Sequence, residues 1–334
     1  MTLLAIALVI ITLTYLLAPR PTLQAKNLSA STSKLNIAEL ENWLETRETK
    51  TENLIESANA HIHWADEKVK TPISFLYIHG FSASWQETAP LTQKLADKYS
   101  ANVLQARVAG HGTGPSGMLC SAEDWLQSVA DQFEIARKIG DKVVIVATST
   151  GAALTTWLLF QNDTRNDIAA CLFVSPNFRI RNPFGFLLTW PWSEHWIHFI
   201  LGKDVKWEPG SSLEAAVWTH EYSTLALIEM QKTVDWANKQ NFENLKVPMA
   251  LMYMENDETI HPPSAINIFE RWGCKNKSLL KVAVDGDATD HVFVGDITAP
   301  HRLDWSVEQF YQFLTPLLEK EIEKKIEKKA SKNP

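Results

Sequence analysis

The chain has 334 residues, of which 45% are hydrophobic and 21% are charged, so it can form one large domain or two ordinary ones. The formal net charge is −7, and no long block of one sign interrupts the body of the chain, which argues against a nucleic-acid partner. Cys120, Cys171 and Cys274 are widely spaced, which argues against a disulfide framework and a cysteine zinc site.

The N-terminal segment is apolar. Residues 2–18 carry no charge and are rich in Leu, Ile, Val and Ala, and about 17 residues is the lower limit for spanning a bilayer. No Lys or Arg precedes this segment and no clean A-x-A site follows it, which favours an uncleaved anchor over a removed signal peptide. Residues 1–20 are therefore predicted to be a transmembrane anchor or, alternatively, a signal segment. The predicted location is membrane-anchored, with the side of the membrane left open.

Residues 21–60 differ from this segment in composition. They begin with a polar stretch rich in Ser and Thr, which is typical of a linker. Helical spacing with charged faces then predicts an amphipathic helix over residues 37–58.

From residue 61 onward, strand patterns alternate with helical ones. Such alternation predicts an α/β fold with a mostly parallel sheet and helices on both faces. Residues 61–178 and 241–318 are assigned to this core, and 319–334 to a charged C-terminal tail. The predicted strands are 61–64, 72–78, 101–108, 143–147, 168–174, 247–254 and 279–284, and the predicted helices are 88–99, 122–139 and 304–318.

The most informative stretch is residues 143–154. A β-branched run predicts a buried strand, which ends at Ser149, and small, helix-forming residues follow at once. A strand, a sharp turn with a serine at its apex and a helix form a nucleophile elbow. Ala147 and Gly151 are the small residues that let the strand and helix pack closely, although Ala147 replaces the usual glycine. Alone, this motif is weak, because an ordinary strand-to-helix loop can contain it by chance.

Two further polar loops follow predicted strands. Asp257 follows the strand at 247–254, and His291 follows the strand at 279–284. In a doubly wound sheet the loops at the carboxyl ends of the strands form the active site. The chain order is therefore Ser149, Asp257, His291, which is the order found in α/β-hydrolases.

Six segments together resemble the α/β-hydrolase superfamily, and within it the carboxylesterase and monoacylglycerol-lipase-like branch. The resemblance covers residues 75–292, but not the first 60 residues, and it is poor over 179–240. The segments are LYIHGFS at 76–82, RVAGHGTG at 107–114, SAEDW at 121–125, ATSTG at 147–151, NDETIHP at 256–262 and DHV at 290–292.

The chemistry and the resemblance assign a role to each candidate. Ser149 is the predicted nucleophile, His291 its base and later the acid, and Asp257 the group that orients the imidazole. The resemblance implies an oxyanion hole made by the main-chain N–H groups of Phe81 and Thr150. Neither a metal ion nor an organic cofactor is predicted.

Each assignment has rivals. The resemblance implies that His79 and His111 brace loops, and His261 lies too close to Asp257 along the chain to be its partner easily. For the acid, Glu255 and Glu258 flank Asp257, and the loop at 175–177 offers no carboxylate. Three further acidic residues are interpreted as loop-surface charges: Asp285, Asp287 and Asp290.

The strand pattern breaks between residues 179 and 240, where Trp and Phe are crowded together. The resemblance implies that this segment is a helical cap over the active site. Its aromatic side chains form either an apolar wall for the acyl or aromatic part of a substrate or packing between cap and core; a bilayer-facing role is a further hypothesis.

The predicted function is a serine hydrolase that cleaves small-molecule or lipid-like carboxylic esters, either an esterase or a monoacylglycerol-type lipase. A thioesterase, an amidase or an acyltransferase could use the same triad, because acyl-enzyme chemistry is common to all of them. A non-catalytic binding protein of the same fold is the alternative from another class.

Overall fold

A computed structural model of the chain describes residues 2–161, 164–284 and 291–330. Its strands are β1 (His61–His63), β2 (Thr71–Ile78), β3 (Asn102–Gln105), β4 (Gly140–Thr148), β5 (Ile168–Val174), β6 (Asp204–Lys206), β7 (Glu221–Ser223), β8 (Met249–Tyr253) and β9 (Lys277–Lys281). Its α-helices are α1 (Thr2–Leu17), α2 (Leu40–Thr49), α3 (Leu91–Asp97), α4 (Ala122–Ile139), α5 (Thr150–Leu159), α6 (Ser193–Leu201), α7 (Ser212–Val217), α8 (Thr224–Asn238), α9 (Pro262–Arg271) and α10 (Pro300–Ala330).

The main sheet has the strand order β1-β3-β2-β4-β5-β8-β9. β1 runs antiparallel to β3, whereas the other neighbouring strands run parallel. Parallel neighbours need crossover connections, and the intervening helices supply them. The predicted α/β fold, with a mostly parallel sheet and helices on both faces, is confirmed.

Each face of the sheet has its own hydrophobic core. Successive side chains of a strand point to opposite faces, so Leu76 and Ile78 of β2 join one core, while Phe75 and Tyr77 join the other. Helices α4 and α5 pack on the first face, and α3 and α10 pack on the second. Because both faces are buried, the central strands β4, β5 and β8 have nearly continuous apolar sequences rather than alternating ones.

Helix α4 has the predicted ends. The Ser121 hydroxyl accepts a hydrogen bond from the Asp124 N–H, and the Asp124 carboxylate accepts one from the Ser121 N–H, which forms a capping box. The helix ends before Gly140, which is also the first residue of β4. A Cβ atom at Gly140 would lie 2.3 Å from the Ser74 nitrogen, so only glycine fits where β4 starts beside β2.

The predicted helix over residues 37–58 is interrupted in the structure. A 3₁₀ turn at Ile37–Glu39 leads into α2, which ends at Thr49, and a second 3₁₀ turn follows at Glu56–Ala58. α2 is fixed to the core by a buried ion pair in which both guanidinium Nε and Nη2 of Arg107 contact the carboxylate of Glu48.

Residues 179–240, here called the cap segment, leave the sheet after β5 and return at β8. They contain α6, α7, α8 and the two-stranded β6–β7 sheet. β5 and β8 are direct neighbours, so the cap segment is inserted between adjacent strands at the edge where the parallel strands end. The helical cap insertion of the predicted fold class is confirmed.

The predicted membrane anchor is wrong. In the described part of the chain no helix is long and apolar enough to cross a membrane. α1 has 16 residues, which at about 1.5 Å per residue falls short of the roughly 30 Å hydrocarbon core. Its end contacts the cap segment instead, because the Trp192 N–H donates to the Pro19 carbonyl and the rings of Tyr15 and Trp190 lie 5.3 Å apart. The membrane partner and the membrane-anchored location are therefore not supported.

At the C-terminus, the predicted helix at 304–318 lies within α10, which begins at Pro300 and continues to Ala330. The helix thus contains most of the predicted charged tail, and residues 331–334 lie outside the described ranges. The three acidic residues interpreted as surface charges also lie outside these ranges: Asp285, Asp287 and Asp290.

Candidate active site

Ser149 lies at a strained turn between β4 and α5. Its backbone angles are φ 51° and ψ −120°, a conformation that non-glycine residues seldom adopt. A Cβ atom at Gly151 would lie 2.2 Å from the Ile78 carbonyl oxygen, so glycine is required for α5 to pass β2 this closely. Ala147, in contrast, is fully buried, and its methyl group packs into the core on the first face of the sheet.

The three side chains predicted to act together meet at the carboxyl ends of the strands. Ser149 Oγ lies 2.9 Å from His291 Nε2, and His291 Nδ1 lies 2.8 Å from Asp257 Oδ2. Nδ1 must carry a proton to donate to the carboxylate, which leaves Nε2 of the neutral ring free to accept from the serine hydroxyl. This chain of two hydrogen bonds is the arrangement in which an imidazole activates a hydroxyl.

Asp257 stays ionised although it is buried. Burial alone would raise the pKa of Asp257, but the attraction of His291 and hydrogen bonds from His291, Ile260 and Thr259 outweigh that effect. The pKa of Asp257 is therefore below its ordinary value. The main-chain N–H groups of Thr259 and Ile260 both donate to Oδ1, so Oδ2 remains directed at the imidazole.

The loop around Asp257 is braced by the start of the cap segment. The Arg181 N–H donates to the Thr259 carbonyl, and the His261 N–H donates to the Arg179 carbonyl. The Arg181 guanidinium also donates to the Asp257 carbonyl over 2.9 Å. The sequence did not indicate this brace, because its partners are mostly main-chain atoms.

His291 is held in place from the opposite side. The Ser175 hydroxyl donates to the His291 carbonyl over 2.6 Å, and the Ser149 N–H donates to the Val174 carbonyl. The end of β5 therefore holds the main chain of both His291 and Ser149, whose side chains are in contact.

The two predicted oxyanion donors lie beside this serine. Phe81 follows β2, and Thr150 is the first residue of α5, where main-chain N–H groups have no partner within the helix. Phe81, Thr150, Ser149 and His291 all line one cavity. Thr150 at the start of a helix and Phe81 on the loop after β2 thus border the cavity into which the serine opens.

The rival histidines have other contacts. His79 Nδ1 donates to the Gly80 carbonyl, and its Nε2 accepts from the Val108 N–H, so the neutral ring joins two loops. Burial lowers the pKa of His79 well below its ordinary value and that of His111 to about 4. His261 Nδ1 instead contacts the Ser264 hydroxyl.

One buried carboxyl at the site was missed in the sequence. Glu87 is 1% exposed, and its Oε1 accepts hydrogen bonds from the Gly80 N–H and the Tyr77 hydroxyl. Burial raises the pKa of Glu87 to about 7 against the opposing effect of these bonds. In the sequence it stands in a polar turn with no pattern that marks it as buried.

The cavity at the serine has a volume of about 460 Å³. Aromatic and aliphatic side chains from the cap segment form one wall, and the catalytic candidates form the other. Its lining residues are Phe81, Ser82, Ser149, Thr150, Asn177, Ile180, Trp207, Glu214, Trp218, Tyr222, Met230, Thr259, His291, Val292 and Thr298. Within residues 2–161, 164–284 and 291–330, no cluster of His, Cys, Asp and Glu could hold a metal ion.

The alpha/beta hydrolase family matches residues 75–302, which is more than half of the chain. No curated protein matches the chain in sequence. Similar solved structures include one from a study of the metagenome-derived lipolytic enzymes LipS and LipT, with 18% identity, a TM-score of 0.64 and coverage of 79% of this chain and 99% of that one.

Two lipases are also similar in structure. The monoacylglycerol lipase of Paleococcus ferrophilus has 15% identity and a TM-score of 0.54, with 77% of this chain and 98% of that one covered. A soluble variant of monoglyceride lipase from Saccharomyces cerevisiae has 13% identity and a TM-score of 0.57, with coverage of 78% and 91%. At these identities the likeness establishes the shared fold, and together with the family match it shows that the chain belongs to the alpha/beta hydrolase family.

Proposed function

We propose that this protein is a serine hydrolase that cleaves carboxylic esters through an acyl-enzyme. The observation that carries the proposal is the pair of hydrogen bonds that joins Ser149 to His291 and His291 to Asp257. The strained backbone of Ser149 supports it, because strain at a cavity-lining hydroxyl is typical of a nucleophile elbow.

In the first half of the reaction, Ser149 Oγ attacks the ester carbonyl carbon while its proton passes to His291 Nε2. The carbonyl oxygen becomes negative, and the N–H groups of Phe81 and Thr150 stabilise it. His291 then returns the proton to the departing alkoxide as the C–O bond breaks, which leaves an acyl group on Ser149. Asp257 stabilises the transient imidazolium.

In the second half, a water molecule gives a proton to His291 Nε2 and attacks the acyl carbon. The resulting oxyanion occupies the same hole, and the proton then goes to Ser149 Oγ as the acyl–enzyme bond breaks. The products are a carboxylic acid and the free serine.

The cavity wall suggests an apolar ester with an acyl or aromatic group that packs against the cap segment. Trp207, Trp218, Tyr222 and Met230 contribute large apolar surfaces to this wall, and such surfaces favour apolar ligands. The esters that fit this description include acyl esters and monoacylglycerols.

The proposal is tested by measuring hydrolysis of p-nitrophenyl esters from acetyl to dodecanoyl, of monoacylglycerols and of acyl-CoA. Ser149→Ala should abolish both hydrolysis and covalent labelling by a fluorophosphonate probe. The exposed Ser31→Ala variant, which keeps its main-chain bond to Asp131, serves as the control and should behave as wild type. Labelling that persists in Ser149→Ala, or preferred turnover of acyl-CoA over every oxygen ester, would contradict the proposal.

A further inference from the structure

Glu87 is a buried carboxyl that the acid–base steps do not use. It belongs to the 3₁₀ turn at Trp85–Thr88, which follows the loop after β2. Only 1% of its surface is exposed. Burying an ionisable carboxyl is unfavourable unless its oxygens have hydrogen-bond donors, so its contacts indicate what it stabilises.

The main contact of Glu87 is with the loop that carries a proposed oxyanion donor. Glu87 Oε1 accepts from the Gly80 N–H over 2.6 Å and from the Tyr77 hydroxyl over 2.8 Å. When the carboxyl is ionised, its hydrogen bond from a main-chain N–H is stronger than one between neutral groups. Glu87 Oε1 thus forms hydrogen bonds both with Tyr77 in β2 and with Gly80 in the loop that follows β2.

Gly80 is fixed on both sides. Its N–H is bound by Glu87, and its carbonyl oxygen accepts from His79 Nδ1 over 2.8 Å. That carbonyl and the Phe81 N–H belong to the same peptide unit, which is planar. The bond from His79 Nδ1 therefore sets the direction in which the Phe81 N–H points, and the bond to Glu87 fixes the adjoining His79–Gly80 peptide.

The space around Gly80 leaves little room for another orientation. A Cβ atom on Gly80 would lie 3.1 Å from Ser149 Cβ and 3.2 Å from Glu87 Oε2. Ser149 and Glu87 thus both lie next to the place that a side chain at Gly80 would occupy, and the glycine main chain packs closely against them. We expect a displacement of the carboxyl to shift the main chain at Gly80, because the two are in hydrogen-bond contact.

We propose that Glu87 is a positioning residue for the oxyanion hole, which it orients through its hydrogen bond to the Gly80 N–H. The inference rests on the proposed function, because it assigns a role within that reaction. Glu87 itself does not touch the substrate and transfers no proton. It keeps the Gly80–Phe81 peptide aligned before the oxyanion forms, as preorganised stabilisation requires.

The test compares three variants of Glu87 with a short p-nitrophenyl ester. Glu87→Gln keeps an acceptor oxygen where Oε1 lies, so kcat should stay within about threefold of wild type. Glu87→Asp withdraws the acceptor by one methylene and Glu87→Leu removes it, and both should lower kcat by about 10- to 100-fold. This is less than the roughly 100- to 1000-fold loss expected when an oxyanion donor is removed outright. KM should change by less than about threefold.

A second readout separates positioning from mere stability. Ser149 can add to a trifluoromethyl ketone, and the resulting hemiketal oxyanion occupies the hole, so its inhibition constant should rise in parallel with the loss of kcat. Ser74→Ala is the control, because it removes one buried hydrogen bond of β2, to the Ala136 carbonyl, far from Ser149. It should lower the midpoint of thermal unfolding, because a buried hydrogen bond is lost, but leave kcat and the inhibition constant unchanged.

Unchanged kcat in folded Glu87→Asp and Glu87→Leu would overturn the inference, and so would a loss confined to KM or stability. If Glu87→Leu does not fold, Glu87→Asp decides the question. Failure of the proposed function would look different, because wild type would then hydrolyse no ester or Ser149→Ala would remain active.

Discussion

The main-chain N–H of Thr219 donates a hydrogen bond to the carbonyl oxygen of Ser82 over 2.7 Å. Beside this bond, the ring of Tyr222 on β7 meets the ring of Phe81 edge-on at 5.1 Å. Thr219 and Tyr222 belong to the cap segment, whereas Phe81 and Ser82 belong to the loop after β2. The cap segment therefore contacts the residue that carries a proposed oxyanion donor, and a change in one should affect the other.

We expect Tyr222→Ala to lower kcat for p-nitrophenyl acetate by about tenfold. An aromatic pair contributes about 0.5–1.5 kcal/mol beyond its buried area, and about 1.4 kcal/mol corresponds to a factor of ten in rate. The acetyl group is small, so direct contact with the cap wall contributes little to its turnover. Phe184→Ala, which changes a cap side chain that is 64% exposed, is the control and should retain its kcat; equal kcat losses in the two variants would contradict the coupling.

The sequence was sufficient to predict that Ser149, Asp257 and His291 lie together, because each follows a predicted strand in a segment that resembles the family; the structure brings the three side chains into contact. The sequence was not sufficient for Glu87 or Arg181. Both form hydrogen bonds with main-chain groups, the Gly80 N–H and the Asp257 carbonyl. Every residue has a main-chain carbonyl and nearly every one an N–H, so no sequence pattern indicates which of them will be bound. Their contacts depend on how turns and inserted segments pack, and that is decided by the whole fold.

The N-terminal segment illustrates a different limit. The sequence gives the number of consecutive apolar residues, but whether a segment can span a membrane depends on the length of the helix that it forms. α1 ends at Leu17, ahead of the two proline residues Pro19 and Pro21, which cannot continue a helix. The apolar segment 2–18 is therefore about as long as the shortest membrane-spanning helix, whereas helix α1 is shorter than that minimum.

The Arg181 brace gives a second prediction. Its guanidinium donates to the Asp257 carbonyl, so Arg181→Met should loosen the loop that orients the imidazole. We expect kcat/KM to fall about fivefold, which corresponds to the roughly 1 kcal/mol of a typical hydrogen bond. Arg179→Met is a matched control, because Arg179 contacts the same loop through its main-chain carbonyl, which the substitution retains. Steady-state kinetics at one pH measure both variants, and an equal loss in each would point to the lost surface charge rather than the brace.

Glu87 should make the stability of the protein depend on pH. Burial raises its pKa from the ordinary 4.5 to about 7, so between these values the folded state holds more protons than the unfolded state. The free energy of unfolding therefore falls as the pH rises through this range. A shift of this size corresponds to about 3 kcal/mol at most.

Glu87→Gln removes this titration while it keeps the acceptor oxygen. Its free energy of unfolding, relative to that of wild type, should increase by up to about 3 kcal/mol from pH 4.5 to pH 7.5. Urea unfolding followed at several pH values measures this difference. A difference that stays constant with pH would show that Glu87 titrates at its ordinary pKa.

Asp257 has two acidic neighbours, and variants can decide which of the three orients His291. Asp257→Asn should lower kcat by about 10³- to 10⁴-fold, because an amide that donates to Nδ1 favours the wrong tautomer of the imidazole. Glu255 and Glu258 are exposed, and Glu255 forms an ion pair with Lys281. Glu255→Gln and Glu258→Gln should therefore keep kcat within about twofold of wild type, since a surface ion pair contributes little. Circular dichroism checks that all three variants fold. A large loss of kcat in either glutamine variant, with Asp257→Asn still active, would place the acid at another position in this loop.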